Sequence, residues 1–334
     1  MTFEAGRLSR FTAAGIITGL TLVASMLFGT CALAQPWPNK PVRVVIPWPP
    51  GGTNDIVGRA VVQRMGTQLG TAFVVENRAG AAGTIGAAVV AAASGDGYTL
   101  MVHSATHLSN ASTYKSLPYR TVEDFTPLAF LSGQPWVLVV HPSLPVKSVK
   151  EFIALARAKP GGLDYGSSGS GSSPHFGMEA FANAAGIRLN HVPYRGGPPS
   201  MNALLGGEVV ASAATLSNAI GPIKAGRLRA LGVSTLTRQP TLPDVPPLAE
   251  AAALPGFEMN PWIGLFGAGG MRRDLAERLN SEANRALRDP DTRKIMESVG
   301  LDPLVGTLDE FAARVKADLD RYARLVKQIG LQPE

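Results

Sequence analysis

The chain has almost no cysteine, and its single thiol lies in a segment that the mature protein should lose. Cys31 is the only cysteine among 334 residues. Arg7 and Arg10 are followed by an apolar run over 11–28 and by the small-residue triplet Ala32-Leu33-Ala34, a pattern typical of a secretory signal peptide. We expect a signal peptide over 1–34, cleaved after Ala34, which would exclude disulfide and thiolate chemistry from the mature chain.

Two alternatives to cleavage are weaker. A retained membrane anchor would need a longer apolar run, because this one is at the short end for a bilayer span. Lipidation of Cys31 is the other alternative, but Phe28-Gly29-Thr30 is a poor approach to a lipidated cysteine. We therefore expect a periplasmic protein, exported across the inner membrane.

Charge is also scarce, and it is not clustered. Charged residues make up 17% of the chain and the formal net charge is +6. The sequence has no tract of lysine and arginine and no alternation of basic and aromatic residues, so we expect no nucleic-acid partner. A positive field favours anionic ligands modestly, although the same charge equally serves solubility. The 45% hydrophobic content is that of a soluble globular protein.

Motifs of covalent and metal chemistry are missing. No serine stands in a Gly-x-Ser-x-Gly register, and no Gly-Lys-Ser/Thr phosphate loop occurs. His103 and His107 are four residues apart, but the strand before His103 argues against a shared helical face, and a packing role is favoured over metal ligation. We expect no catalytic residue, no metal and no cofactor.

What is present is a glycine turn between a strand and a helix. The β-branched run at 42–46 ends at Pro47, and Gly51-Gly52-Thr53-Asn54-Asp55 precedes a helical pattern that reaches Leu69. Glycines permit a close backbone approach, and Thr, Asn and Asp are helix-capping residues. The free N–H groups of a helix N-terminus attract anions. The turn predicts an anion-holding loop, with Gly52, Thr53, Asn54 and Asp55 as candidates and capping favoured for Asp55.

Further loops follow later strands. Ser167, Ser168, Gly169 and Ser172 lie in a Gly/Ser run between a strand and a helix, and we favour a binding loop there over a flexible linker. Loops at the carboxyl ends of strands in an open α/β sheet share one edge. The other candidates are Ser104, Thr106 and Asn110 after one strand, and Tyr194 and Arg195 after another, where Arg195 could equally be a solvated rim residue.

Strands and helices alternate along the chain, which predicts an α/β fold with mainly parallel sheets. Residues 136–237 hold a complete set of strands and helices between two flanking parts. We therefore expect a two-lobe protein in which 35–135 plus 238–334 form a discontinuous first lobe and 136–237 form the second, joined by two crossover segments. The proline-rich stretch from Pro240 to Pro261 should run along a domain surface.

The ordered motifs resemble those of Bug-type receptors, the substrate-binding proteins of tripartite tricarboxylate transporters. The resemblance covers the whole mature chain. It rests on Trp37 to Asp55, Val75 to Gly83, Asp96 to Leu100, Tyr165 to Gly169, His191 to Gly196, Leu204 to Glu208 and Leu242 to Pro246.

This resemblance implies a periplasmic two-lobe binding protein of the Venus-flytrap type that captures a small organic carboxylate. It implies Trp48 to Asp55 and Ser167 to Ser172 as the two binding loops, with Tyr194 nearby, and permease subunits as membrane partners. We expect a monomer. The chain departs from the family at Thr215 to Asn218, where an Asp often precedes the Asn, and that departure bears on ligand type.

Two other functions are weighed against transport. The same closed receptor could feed a two-component signalling kinase, and the sequence does not separate the two roles. An exported hydrolase is the remaining alternative, and it lacks an identifiable nucleophile–base pair.

Overall fold

The computed structural model describes residues 37–331. The predicted signal peptide, its cleavage after Ala34 and the residue Cys31 lie outside the described residues. No helix within 37–331 is both long and apolar enough to cross a bilayer.

The first sheet has the strand order β2-β1-β3-β10-β4. Strand β1 pairs in parallel with β2 and β3, whereas β10 pairs antiparallel with β3 and β4. Its strands are β1 (Val42–Ile46), β2 (Phe73–Asn77), β3 (Thr99–Ser104), β4 (Phe125–Gly133) and β10 (Trp262–Ala268).

The second sheet has the order β7-β6-β8-β5-β9. Strand β6 is parallel to β7 and β8, and β5 is antiparallel to β8 and β9. The two-lobe α/β class is therefore confirmed. In each sheet four strands run in one direction, and a single strand, β10 in the first sheet and β5 in the second, runs against them, so both sheets are mainly parallel as predicted. The strands are β5 (Trp136–Val140), β6 (Asp164–Ser167), β7 (Asn190–Pro193), β8 (Ala211–Thr215) and β9 (Arg229–Val233).

The antiparallel pairs arise where the chain passes between the sheets. The reversed strands are β5 and β10. Strand β5 enters the second sheet directly from β4 through Gln134 and Pro135, and β10 enters the first sheet after the chain returns from the second, so neither is reached through a local crossover helix. The sequence pattern did not predict β4, because Pro127 interrupts it. The structure places β4 at the edge of the first sheet, where a proline is tolerated.

Helices cover the faces of both sheets. In chain order the helices are α1 (Thr53–Leu69), α2 (Thr84–Ala91), α3 (Thr106–Thr113), α4 (Val149–Ala158), α5 (Ser173–Ala185), α6 (Gly197–Gly206), α7 (Leu216–Lys224), α8 (Leu248–Ala251), α9 (Arg273–Arg288), α10 (Pro290–Ser298) and α11 (Leu308–Ile329).

The segment after β9 stays with the second sheet. The N–H of Val233 donates to the carbonyl of Pro246 at 2.9 Å, and the N–H of Met259 donates to the carbonyl of Ser234 at 3.0 Å. Leu248 is fully buried in the core of the second sheet. We therefore place the return to the first lobe just before Trp262, later than residue 238.

Helix α11 packs against both lobes. Phe311 and Val315 lie in the core of the first sheet with Trp262 and Phe266. Val326 lies in the core of the second sheet. Tyr322 stands between them, with its ring centroid 5.6 Å from that of Phe176. The C-terminal helix is thus a third link between the lobes, beside the two chain crossings.

Candidate functional site

A cavity of about 540 Å³ lies between the two lobes. Its walls come from the loops that follow the carboxyl ends of β1, β3, β6 and β8, as expected for an open α/β sheet. We call it the ligand cleft. Eight of the predicted residues line it: Trp48, Gly52, Thr53, Asn54, Ser104, Thr106, Ser167 and Ser168.

The glycine turn begins α1 at the predicted place, but the N-cap residue is Gly52 and none of the expected capping side chains caps the helix. Gly51 has a φ of 75°, and Gly52 is the extended N-cap residue of the helix. The carbonyl of Gly52 accepts from the N–H groups of Asp55 and Ile56. The N–H groups of the first helical turn have no intrahelical acceptor, and Thr53 and Asn54 therefore present theirs at the cleft wall.

Asp55 does not line the cleft. Its Oδ2 accepts from the N–H of Gly51 at 2.9 Å, and its Oδ1 accepts from Nε of Arg59 and Nδ2 of Asn77, each at 2.9 Å. The carboxylate thus accepts hydrogen bonds from residues of its own lobe. This arrangement fits a role in holding the loop and not in contacting a ligand.

Hydroxyl groups join the lobes across the cleft. Thr53 Oγ1 donates to Thr215 Oγ1 at 2.9 Å and lies 2.5 Å from Ser217 Oγ. At the far wall, Thr106 Oγ1 accepts from the N–H of Ser173 at 3.1 Å. The structure is therefore closed, with side chains of the first lobe bonded to helix N-termini of the second.

Ser172 is a helix cap and not a lining residue. Its Oγ accepts from the N–H of His175 at 3.4 Å, and its carbonyl accepts from the N–H of Phe176. The hydroxyl is used within α5, which explains why it does not face the cleft. Ser172 is therefore the N-cap residue of α5.

Ser167 lines the cleft, and its hydroxyl oxygen is hydrogen-bonded to other residues of the second lobe. Ser167 Oγ lies 2.6 Å from Nε2 of His191 and accepts from the N–H of Gly169 at 3.1 Å. The His191 ring is stacked on that of His175, with the centroids 3.9 Å apart. Burial lowers the pKa of His175 to about 3, with a smaller contribution from the charge on His191.

Trp48 is held in place by a buried histidine. Its Nε1 donates to Nδ1 of His103 at 3.3 Å. His103 and His107 are both buried, and Nε2 of His107 lies 3.0 Å from the carbonyl oxygen of Thr121. Burial lowers the pKa of His103 well below its usual value and that of His107 to about 4. These contacts show both histidines in packing roles.

Electrostatics at the cleft come from the backbone. None of its described lining residues is charged or titratable near neutral pH. Instead, α1, α5, α6 and α7 each present their first turn or N-cap to the cleft, through Thr53, Pro174, Gly197 and Thr215. Helix N-termini carry partial positive charge, so the cleft favours an anion without a fixed cation.

Comparison with known proteins identifies the family. The model of the tripartite tricarboxylate transporter family receptor, TctC, matches residues 57–331. The chain belongs to the TctC receptor family. The resemblance to Bug-type receptors that the motifs indicated is thereby confirmed, and members of this family are solute-binding proteins and not enzymes.

Similar proteins match most of the length of this TctC receptor. Protein BugT of Bordetella pertussis is 31% identical, over 94% of this chain and 98% of that protein. The structure of Rpa4515 of R. palustris with adipate has a TM-score of 0.85 at 32% identity, covering 89% of this chain and 100% of the other. MatC from Rhodopseudomonas palustris with bound malate has a TM-score of 0.82 at 30% identity, covering 87% and 100%.

Three predicted residues line a neighbouring cavity and not the ligand cleft. They are Gly169, Tyr194 and Arg195. This second cavity shares Trp48, Pro49 and Ser168 with the ligand cleft. Tyr194 donates from its hydroxyl to Oε2 of Glu208 at 3.4 Å.

Several lining residues of the TctC receptor were not predicted as site residues. Gln134 sits in the crossing from β4 to β5, and the amide oxygens Oε1 of Gln134 and Oδ1 of Asn54 are buried without a protein partner. Buried polar atoms normally have a hydrogen-bond partner, so these amides suit a bound ligand or its water. The other unpredicted polar residues in the lining are Ser200, Ser212, Thr215 and Asn218.

The family departure near Asn218 falls at the cleft. Ser217 is the residue before Asn218, and Ser217 Oγ lies 2.5 Å from Thr53 Oγ1. A carboxylate at that position would add a negative charge beside the anion-favouring helix ends. The serine keeps this part of the wall neutral.

Proposed function

We propose that this receptor captures a small organic carboxylate in the ligand cleft and delivers it to permease subunits of the tripartite tricarboxylate type. The observation that carries the proposal is a closed cleft that has no charged lining residue and is surrounded by helix N-termini of both lobes. Such a site binds an anion through N–H and O–H donors. The structures with adipate and malate support a carboxylate.

The donors for the carboxylate would be the N–H groups of Thr53 and Asn54 with the hydroxyls of Ser167 and Ser168. Thr53 Oγ1 already bonds to the opposite lobe, so ligand capture and lobe closure would use the same turn. Closure around a ligand by two lobes presents a new surface to a membrane partner. We further propose that residues 1–34 are removed and that the mature protein binds its ligand in the periplasm as a monomer.

The test is thermal unfolding of residues 35–334 against monocarboxylates, dicarboxylates, tricarboxylates and amino acids. The protein is first unfolded and refolded to remove any bound ligand. A ligand at a hundred times its dissociation constant adds roughly 2.7 kcal/mol, which raises the unfolding midpoint by several degrees for a chain of this size. A selective shift by one acid class supports the proposal, and no shift with any acid contradicts it.

Asn54→Ala is the variant that links such a shift to the cleft. It removes a buried amide at the wall and keeps the backbone N–H, so binding should weaken by roughly tenfold. Thr67→Ala is the matched control, because Thr67 lies exposed on the same helix. Equal affinities in all three proteins would place the binding site elsewhere.

A further inference from the structure

The second cavity is built by both lobes and adjoins the ligand cleft. Its first-lobe wall is the turn over 79–83 with Tyr114, and its second-lobe wall is the loops over 168–170 and 193–196. Trp48, Pro49 and Ser168 belong to the linings of both spaces. A molecule seated in the ligand cleft therefore has this cavity beside it, with Trp48 at the boundary.

Lobe closure brings the walls of the second cavity together. Gly196 has a φ of 112°, and a β-carbon added there would lie 2.6 Å from Cγ of Pro49 in the opposite lobe. Only glycine fits such a conformation with so little space. The cavity thus has its present walls in the closed arrangement, the same arrangement in which Thr53 bonds to Thr215.

The two spaces differ in charge. The described lining residues of the ligand cleft are all uncharged, whereas Arg195 lines the second cavity and is the single charged residue among those described there. Arg195 is exposed to solvent. Tyr114 and Tyr194 add aromatic surface to the same cavity. A guanidinium is a planar donor that matches a carboxylate in a bidentate way, and no acidic residue lines this cavity to compete for it.

We propose that the second cavity receives the far end of an elongated dicarboxylate, and that Arg195 pairs with its distal carboxylate. The proximal carboxylate sits among the helix N-termini of the ligand cleft, and the carbon chain passes Trp48. This inference rests on the proposed function, because it extends the same site. In this arrangement Arg195 selects diacids over monoacids. The neutral groups of the ligand cleft bind the proximal carboxylate.

The experiment compares diacids with monoacids of equal length by isothermal titration calorimetry. The probe pairs are succinate with butyrate, adipate with hexanoate, suberate with octanoate and sebacate with decanoate. In Arg195→Gln, the affinity for the preferred diacid should fall roughly threefold to tenfold, as expected for a charge-assisted pair at a partly exposed site. The affinity for the matching monoacid should change by less than about twofold. Arg188→Gln is the control, an exposed arginine of the same lobe, and should change neither.

The outcomes separate the two proposals. In one outcome the natural protein binds carboxylates, and Arg195→Gln lowers the affinity for diacids and monoacids equally or lowers neither affinity. In both cases the distal subsite is wrong and the receptor role stands. If the natural protein binds none of the eight probes, the distal subsite is wrong, and the thermal unfolding series with tricarboxylates and amino acids decides the receptor role separately. Added salt provides a second readout, because it should weaken the diacid in the natural protein more than in Arg195→Gln.

Discussion

Thr53 Oγ1 donates a hydrogen bond to Thr215 Oγ1 across the cleft at 2.9 Å. The two threonines begin α1 and cap α7, so this bond joins a helix N-terminus of one lobe to a helix N-terminus of the other. Both side chains are buried. The hydroxyl of Thr53 thus lines the cleft and also joins the two lobes.

Thr53→Ala should weaken closure as well as binding. The substitution removes the donor to Thr215 and the contact with Ser217, at a cost of about 1 kcal/mol in the closed form. Small-angle scattering of the ligand-free protein should show a larger radius of gyration than for Thr67→Ala, the exposed control. An unchanged radius together with unchanged affinity would show that this bond does not hold the lobes together.

Asp55→Ala should lower the free energy of unfolding. The affinity of the folded protein for its ligand should change less. The carboxylate accepts from Gly51, Arg59 and Asn77, and its loss leaves these donors without their acceptor, at about 1 to 3 kcal/mol. Urea unfolding gives the value. Asp274→Ala is the matched control, since this first-turn aspartate of α9 is exposed and should cost about 0.5 kcal/mol or less. Lost binding at full stability would instead assign Asp55 to the ligand.

Gly196→Ala should impair closure at the mouth of the second cavity. The added carbon would lie 2.6 Å from Pro49, and the φ of 112° is unfavourable for alanine, a strain of roughly 1 to 3 kcal/mol. Affinity for the preferred carboxylate should fall in calorimetry. Gly206→Ala is the control, because nothing lies within 4 Å of the added carbon there. The double variant Pro49→Gly with Gly196→Ala should regain part of the affinity, and no recovery would show that the loss is local strain alone.

Stability should fall on acidification because His107 is buried without charge. Burial lowers its pKa from 6.5 to about 4, so the unfolded chain takes up a proton at a higher pH than the folded one. The contribution of His107 is fully present above pH 6.5 and is lost as the pH falls toward about 4. His107→Phe keeps a ring against Phe125 and Phe266 and should reduce this loss. Urea unfolding across that window measures it, and an identical pH profile in the variant would contradict the assignment.

Local chemistry explains what the sequence could predict. The turn at Gly51 and Gly52 and the start of α1 follow from glycine and capping preferences over a few adjacent residues, and the structure shows both. Asp55 and Ser172 were also candidates for ligand contact, with capping favoured for Asp55. Their orientation is decided by partners such as Arg59 and the N–H of His175, and a capping residue type is equally compatible with either use.

The unpredicted parts depend on contacts between distant segments. Gln134 lines the cleft because β4 continues into the other lobe there. Ser200 and Ser212 line it because α6 begins and β8 ends at that edge. Nothing in their own neighbourhood marks them as site residues. Strand β4 itself was missed because Pro127 is permitted only by its position at the sheet edge, which the topology decides.

Helix α11 limits how the two halves can move apart. Phe311 is fixed in one core and Val326 in the other, with Tyr322 against Phe176 between them. A helix neither stretches nor shortens appreciably, because its length is set by its rise per residue. The halves can therefore swing about the Tyr322 region, but they cannot separate. Any opening of the cleft must therefore bend or tilt the C-terminal helix and move its outer surface.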